Sequence, residues 1–156
     1  SASGKDAIEF LVSPNLGEEP KPIEKIASGG EISRIALALK TCVAAPARAG
    51  GAPRTLVFDE VDAGIGGGVA EGVGRRLKKL AAASQVLCVT HLAQIACFAD
   101  HHYLVEKREQ KGRTVATIAE LDSANRTREI GRMLSGHKLT DEALKHAERL
   151  IEMSVK

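Results

Sequence analysis

The order of apolar and polar positions divides the chain into short strands and amphipathic helices. Two short apolar runs, at 54–58 and 85–89, are typical of strands that are buried on both faces. Between them, apolar residues at helical spacing predict a helix near 67–83. A strand, a helix and a strand at this spacing form a βαβ unit. The pattern therefore predicts an α/β fold with a mainly parallel sheet, flanking helices and a right-handed crossover.

Further elements are predicted on both sides of this unit, within one domain that covers residues 1–156. Those before it are a strand-like stretch at 7–12, a short strand near 23–26, a helix that begins after Gly30 and ends before Pro46, and a surface loop at 47–53. Those after it are a short helix at 92–99, strands at 102–107 and 113–120 with a turn at Lys111-Gly112, and helices at 123–134 and 141–153. Thr140 is the predicted N-cap of the last helix.

Composition excludes several classes of protein. Apolar residues make up 44% and charged residues 27%, which excludes a disordered tail, a collagen-like fibre and a coiled-coil rod. No apolar run approaches the roughly 20 residues of a membrane-spanning helix, so we expect no membrane partner, and residues 1–10 lack a signal-peptide pattern. The cysteines, Cys42, Cys88 and Cys97, lie in apolar surroundings, so we expect them to be buried and reduced in a cytoplasmic protein.

Charge alone does not indicate nucleic-acid binding, because 22 Lys and Arg against 20 Asp and Glu give a net charge of only +2. Aromatic residues are 3% of the chain, which argues against a stacking platform for single strands. Basic residues do cluster in two places, Arg75, Arg76, Lys78 and Lys79 in one and Arg126, Arg128 and Arg132 in the other. Each cluster is either a solvated helix face or a set of phosphate contacts.

Polar residues follow both strands of the βαβ unit, Asp59 and Glu60 after the first and Thr90 and His91 after the second. Ligands of parallel α/β sheets bind beyond these carboxyl ends. An aspartate there suits Mg²⁺, a following glutamate can polarise a water molecule, and a histidine can reach a terminal phosphate. The alternatives are a charged turn and a structural histidine.

The helix near residue 30 begins with Ser28, Gly29, Gly30 and Glu31. A serine followed three residues later by a glutamate fits a capping box. The two glycines also let a phosphate approach the backbone at the positive end of the helix. The two interpretations are compatible.

Together, in this order and spacing, the motifs resemble those of ATP-binding-cassette (ABC) ATPases in their SMC-like form. The matching segments are IASGGEISR (26–34) for the signature motif, TLVFDE (55–60) for Walker B, VDAGI (61–65) for the D-loop and QVLCVTHLAQ (85–94) for the switch histidine. DEVDAGIGG (59–67), QVLCVTHLAQIACFAD (85–100) and REIGRMLSG (128–136) are similar more narrowly to the RecN family of bacterial SMC-like proteins, which act in DNA double-strand-break repair.

The resemblance implies a P-loop NTPase head, two copies of which sandwich two ATP molecules. It implies that Asp59 holds Mg²⁺, through water, that Glu60 orients or deprotonates the attacking water, and that His91 contacts the γ-phosphate. Nucleotide bound to the opposite head would meet the signature motif, formed by Ser28, Gly29, Gly30 and Glu31, and Asp62 would link the two sites. Arg34 would add charge near the phosphates or be a surface arginine. ATP would join the heads and hydrolysis release them, for DNA repair and recombination at the cytoplasmic nucleoid.

The sequence departs from the family pattern because it contains no Walker A sequence, GxxxxGK[ST]. Ser3-Gly4-Lys5-Asp6 lacks the first glycine and the final Ser or Thr. The chain is therefore expected to be the C-terminal lobe of a split head, with little ATPase activity alone. Its expected partners are the N-terminal Walker A lobe of the same protein, a second head, and DNA through the full-length protein.

Two other functions remain open at this point. One is a non-catalytic module for dimerisation or partner docking, which would not need Glu60. The other is a metal-dependent hydrolase that uses Asp100, His101 and His102, although neighbouring strand residues point to opposite faces.

Overall fold

The structure is a computed structural model that describes residues 4–5, 8–13, 17–26, 28–43, 54–110, 112–136 and 138–155. Its strands are β1 (Leu11–Val12), β2 (Lys21–Pro22), β3 (Thr55–Phe58), β4 (Gln85–Cys88), β5 (Tyr103–Gln110) and β6 (Arg113–Glu120). Its helices are α1 (Ile23–Ile26), α2 (Gly29–Val43), α3 (Gly67–Ala81), α4 (Ala93–Ala96), α5 (Ser123–Ser135) and α6 (Asp141–Ser154). The α/β class is confirmed. The predicted loop at 47–53 lies outside the described residues.

The βαβ unit is present as predicted. β3 and β4 pair in parallel, with Thr55 opposite Gln85 and Phe58 opposite Cys88, and α3 connects them. Their inward side chains meet α2 and α3 in the main core, which contains Leu37, Phe58, Val61, Ala70, Val73, Leu77, Leu80 and Ile95. β1–β2 and β5–β6 are separate antiparallel pairs, so a parallel sheet larger than β3–β4 stays a prediction.

The β3–β4 sheet is covered on one face, whereas the sequence predicted helices on both. Val57, Leu87 and Val89 alternate with the core positions and are 66%, 49% and 63% exposed. Residues 56–58 and 86–89 are apolar at every position, which suits a sheet that is covered on both faces. Among the described residues, this chain supplies helices to one face.

A second core joins α4 to the two C-terminal helices. Its buried members are Ala93, Cys97, Phe98, Ile130 and Ala147. Side-chain oxygens cap both C-terminal helices, since Asp122 accepts a bond from the Asn125 N–H (2.8 Å) and Thr140 accepts one from the Ala143 N–H (3.2 Å). The predicted cap at Thr140 is confirmed.

The predicted hairpin is also present, with Tyr103 opposite Glu120 and Gln110 opposite Arg113. Gly112 has a φ of 72°, which favours glycine in the turn. Lys111, the other predicted turn residue, lies outside the described residues.

The strand predicted near 23–26 is wrong, because these residues form helix α1. Ile23 and Ile26 are three positions apart, a spacing that fits one helical turn, and Pro22 immediately before them suits a helix start. The strand is instead β2, which pairs antiparallel with β1, and β1 is shorter than the predicted stretch at 7–12.

The cysteines differ from the expectation of burial. Cys97 is buried and Cys88 partly buried, but Cys42 is exposed. Burial raises the pKa of Cys88 to about 12 and that of Cys97 to about 11, so both stay protonated thiols. Among the described residues, no helix combines the length and apolar character needed to cross a membrane.

Candidate functional site

The loop that follows β3 presents two carboxylates at the carboxyl edge of the sheet. Asp59 and Glu60 are both exposed, and Asp59 Oδ1 accepts a bond from the Glu60 N–H (2.9 Å). Glu60 has a φ of 55°, the one left-handed non-glycine residue among those described. This conformation costs on the order of 1–3 kcal/mol, so the surrounding contacts must hold it.

Asp62 joins the ends of the two parallel strands. It is 4% exposed, and its Oδ2 atom accepts bonds from Thr90 Oγ1 (2.6 Å) and the His91 N–H (2.8 Å) and lies 3.0 Å from His91 Nδ1. Burial raises the pKa of Asp62, but the bonds from Thr90 and His91 outweigh it, so the pKa lies below its usual value. The carboxylate therefore stays ionised and fixes the loop that carries His91.

The His91 ring is anchored at one nitrogen and open at the other side. Its side chain is 76% exposed, with Nδ1 turned to Asp62. A carboxylate at Nδ1 favours the proton on that nitrogen and directs Nε2 away from Asp62. Asp62 thus brings the histidine to the same sheet edge as Asp59 and Glu60, as predicted from the strand ends.

The capping box at the start of α2 is confirmed. The Ser28 N–H donates to Glu31 Oε2 (2.8 Å), and the Glu31 N–H donates to Ser28 Oγ (3.3 Å). These bonds, first that from the Ser28 backbone, lower the pKa of Glu31. A phosphate contact by Ser28, Gly29 or Gly30 stays a prediction.

The two glycines of this motif also have a role within the chain. A Cβ added at Gly29 would lie 2.6 Å from Glu60 Oε2, and one at Gly30 would lie 2.7 Å from the Ala63 Cβ and 2.9 Å from the Glu60 carbonyl oxygen. The start of α2 therefore packs directly on the loop that contains Glu60. At Gly30, only glycine allows this approach without displacing the loop backbone, whereas at Gly29 the Glu60 side chain could move aside.

Two further α2 residues, which sequence reasoning did not identify as loop contacts, bond to the same loop. Ser33 Oγ donates to the Asp59 carbonyl (2.8 Å), and Arg34 Nη1 donates to the carbonyls of Ala63 (2.8 Å) and Val61 (3.4 Å). No sequence motif identifies a side chain that will bond to backbone carbonyls nearly 30 positions away. Arg34 is partly buried and bonded to the loop, so the alternative of a free surface arginine, which the sequence allowed, is wrong.

The residues at the sheet edge suit Mg²⁺ with a nucleotide. Asp59 and Glu60 offer hard oxygen ligands, and Mg²⁺ commonly takes one or two carboxylates and completes its shell with water and phosphate oxygens. Within the described part of the chain, no group of three or more metal-ligating side chains is assembled. The two carboxylates match the one or two protein oxygens that Mg²⁺ commonly takes when phosphates complete its shell.

The structure does not bring Asp100, His101 and His102 together as a metal site. Asp100 pairs with Lys78, and His101 Nδ1 lies 2.8 Å from Glu120 Oε1. The Nδ1 atom of His102 is buried without a described partner. The metal-hydrolase interpretation has no support in this arrangement.

The two basic clusters are largely engaged within the chain. Arg75 pairs with Glu71, Lys78 with Asp100, and Arg132 with Glu129 through two bonds of 2.8 and 2.6 Å. Arg126 donates to the Cys97 carbonyl (2.8 Å). The three ion pairs offset part of the positive charge that these clusters would offer to a phosphate backbone, whereas Arg126 bonds to a neutral carbonyl and keeps its charge.

Comparisons with known proteins identify relatives along nearly the whole chain. No family model matches. "DNA repair protein RecN" of Deinococcus radiodurans is 47% identical over 151 residues, and that of Streptomyces coelicolor is 46% identical over 151. The protein of the same name in Bacillus subtilis is 39% identical over 151 residues. These matches cover 96–97% of this chain but 26% of each relative, so the chain spans about a quarter of their length.

One solved structure is also similar, from work titled "Structural biochemistry of ATP-driven dimerization and DNA stimulated activation of SMC ATPases". The match covers 85% of this chain and 76% of the other, with 18% identity and a TM-score of 0.47. At this level, the likeness carries no argument about the present chain.

Proposed function

The chain belongs to the RecN family, and from this premise we propose that it is the C-terminal lobe of an ATP-hydrolysing head that acts in DNA repair. The observation that carries the proposal is the Asp62 carboxylate, which holds His91 at the sheet edge where Asp59 and Glu60 are exposed. A non-catalytic docking module would not require this arrangement. The protein is proposed to act in DNA repair and recombination at the nucleoid in the cytoplasm.

In this proposal, the loop residues divide the work of hydrolysis. Asp59 holds Mg²⁺, through water, and Glu60 accepts the proton of the attacking water or orients it. His91, fixed through Nδ1, presents its other nitrogen to the γ-phosphate. The metal ion supplies positive charge that offsets the charge of the phosphates.

The signature motif is proposed to serve the second head. Ser28, Gly29 and Gly30 would meet the γ-phosphate bound there, while Glu31 caps the helix. A link across the dimer by Asp62 stays a prediction. The bonds of Asp62 to Thr90 and His91 support a role within its own head as well.

The missing phosphate loop would come from the N-terminal Walker A lobe of the same protein. The uncovered face of β3–β4, with Val57, Leu87 and Val89 exposed, supports such a partner, since apolar sheet faces require cover. The partial coverage of the relatives is consistent with this division. DNA would bind through the full-length protein.

ATP-dependent dimerisation of the full-length protein tests the signature assignment. In a Glu60→Gln background, which should preserve the ATP-bound dimer, light scattering should show dimers with ATP. Ser28→Arg should abolish them and leave ATP binding by one head intact. Ser123→Arg, a matched change at an exposed helix position, should have no effect. ATP-dependent dimers in the Ser28→Arg protein would contradict the proposal.

A further inference from the structure

The first two turns of α2 and the loop 59–63 form a continuous contact within one chain. Ser33 bonds to the carbonyl that begins the loop, and Arg34 bonds to the carbonyls of Val61 and Ala63. Gly30 lies against the Glu60 carbonyl. The carbonyls on both sides of Glu60 are therefore fixed by side chains of α2.

This contact surrounds the left-handed residue of the loop. Glu60 has a φ of 55°, its own carbonyl accepts from the Ala63 N–H (3.0 Å), and its side chain lies against Gly29. A left-handed glutamate persists where neighbouring structure holds it. Arg34 supplies two of the bonds that do so, from a partly buried position.

We propose that Arg34 is a positioning residue that holds the backbone of residues 61–63 and thereby fixes the orientation of Glu60 in its own head. The inference rests on the proposed function, in which Glu60 activates water. It assigns Arg34 to this loop rather than to the phosphates. It also couples the Glu60 site of one head to the nucleotide of the other head, because α2 begins at the motif that would contact that nucleotide.

The guanidinium group suits this task because it donates several bonds from one plane. Arg34 Nη1 donates to both carbonyls, and this nitrogen lies one bond farther from the backbone than the ammonium nitrogen of lysine, so lysine at this position falls short of them. A role that depends only on positive charge near a phosphate, by contrast, would survive an Arg34→Lys change. The two roles therefore predict different results for lysine.

The test uses the full-length protein with Arg34→Ala or Arg34→Lys, and Arg149→Ala as a control at an exposed arginine of α6. Amide exchange is measured without ATP on a peptide that contains Ala63 and Ile65, whose N–H groups bond within the loop. Both Arg34 variants should exchange about tenfold faster there, because two bonds are lost. Turnover should fall about tenfold, with KM within about twofold.

Unchanged exchange in the alanine variant would overturn the inference, as would raised exchange with unchanged turnover. Turnover restored by lysine while exchange at the loop stays raised would assign Arg34 to charge rather than to positioning, and would also overturn it. Glu60→Gln serves as a separate control. If that variant keeps wild-type turnover, the proposed function itself fails, and the positioning role fails with it.

Discussion

Two glycines of α3, only two positions apart, should differ in how alanine changes the stability of the protein. A Cβ at Gly74 would lie 2.4 Å from Phe98 Cδ2 and 3.1 Å from the Gln94 carbonyl oxygen, whereas a Cβ at Gly72 would meet nothing within 4 Å. Phe98 is buried, and the backbone oxygen cannot yield cheaply. The pair therefore tests how closely α3 packs on α4, the helix that follows His91.

The magnitude comes from two opposing effects. Alanine in place of glycine stabilises a helix interior by about 1 kcal/mol at either position. Overpacking at Gly74 costs about 1–3 kcal/mol. Gly72→Ala should therefore raise the free energy of unfolding by up to about 1 kcal/mol, while Gly74→Ala should leave it unchanged or lower it by up to about 2 kcal/mol.

Urea denaturation followed by circular dichroism measures both variants against the wild-type chain. The midpoints should move apart while the slopes stay equal, since neither change alters the surface exposed on unfolding. Equal stabilisation by the two alanines would refute the close packing of Gly74 on Phe98.

Three other predictions concern protonation, activity and thiols. Burial lowers the pKa of His102 below 6.5. The stability that depends on neutral His102 should therefore be fully present above pH 6.5 and be lost as the pH falls toward the folded-state pKa. Urea midpoints should show this decline, and His102→Gln should lessen it. The chain alone should show little ATP turnover in a phosphate-release assay, and Glu60-dependent turnover would contradict the split-head interpretation. A thiol reagent should modify the exposed Cys42 well before the buried Cys97, and equal rates would contradict their placement.

Local patterns predicted much of the fold because short-range physics determines it. Apolar runs and helical periodicity placed β3, α3 and β4 correctly. The segment 23–26 was misassigned because two isoleucines three apart suit both a short apolar strand and one helical turn. An apolar strand also cannot reveal which chain covers each face, so the exposure of Val57 and Leu87 was not foreseen.

The placement of the candidate residues at one sheet edge was predicted where they follow strand ends, and the contacts between distant parts of the chain were missed. Asp59, Glu60 and His91 were identified because parallel strands bring their carboxyl ends to one edge. The bond between Asp62 and His91 joins residues that are 29 positions apart, and the bonds of Arg34 are equally distant. Such contacts depend on tertiary packing, for which a single sequence carries no local pattern.

Turnover by the full-length protein, wild type against Glu60→Gln, tests the central claim most directly. Glu148→Gln, at an exposed glutamate of α6, is the matched control. Removal of the base should slow ATP hydrolysis by about 100-fold or more, while ATP binding and the control stay at wild-type levels. Hydrolysis by the Glu60→Gln protein at the wild-type rate would contradict the assignment of this sheet edge as the catalytic site.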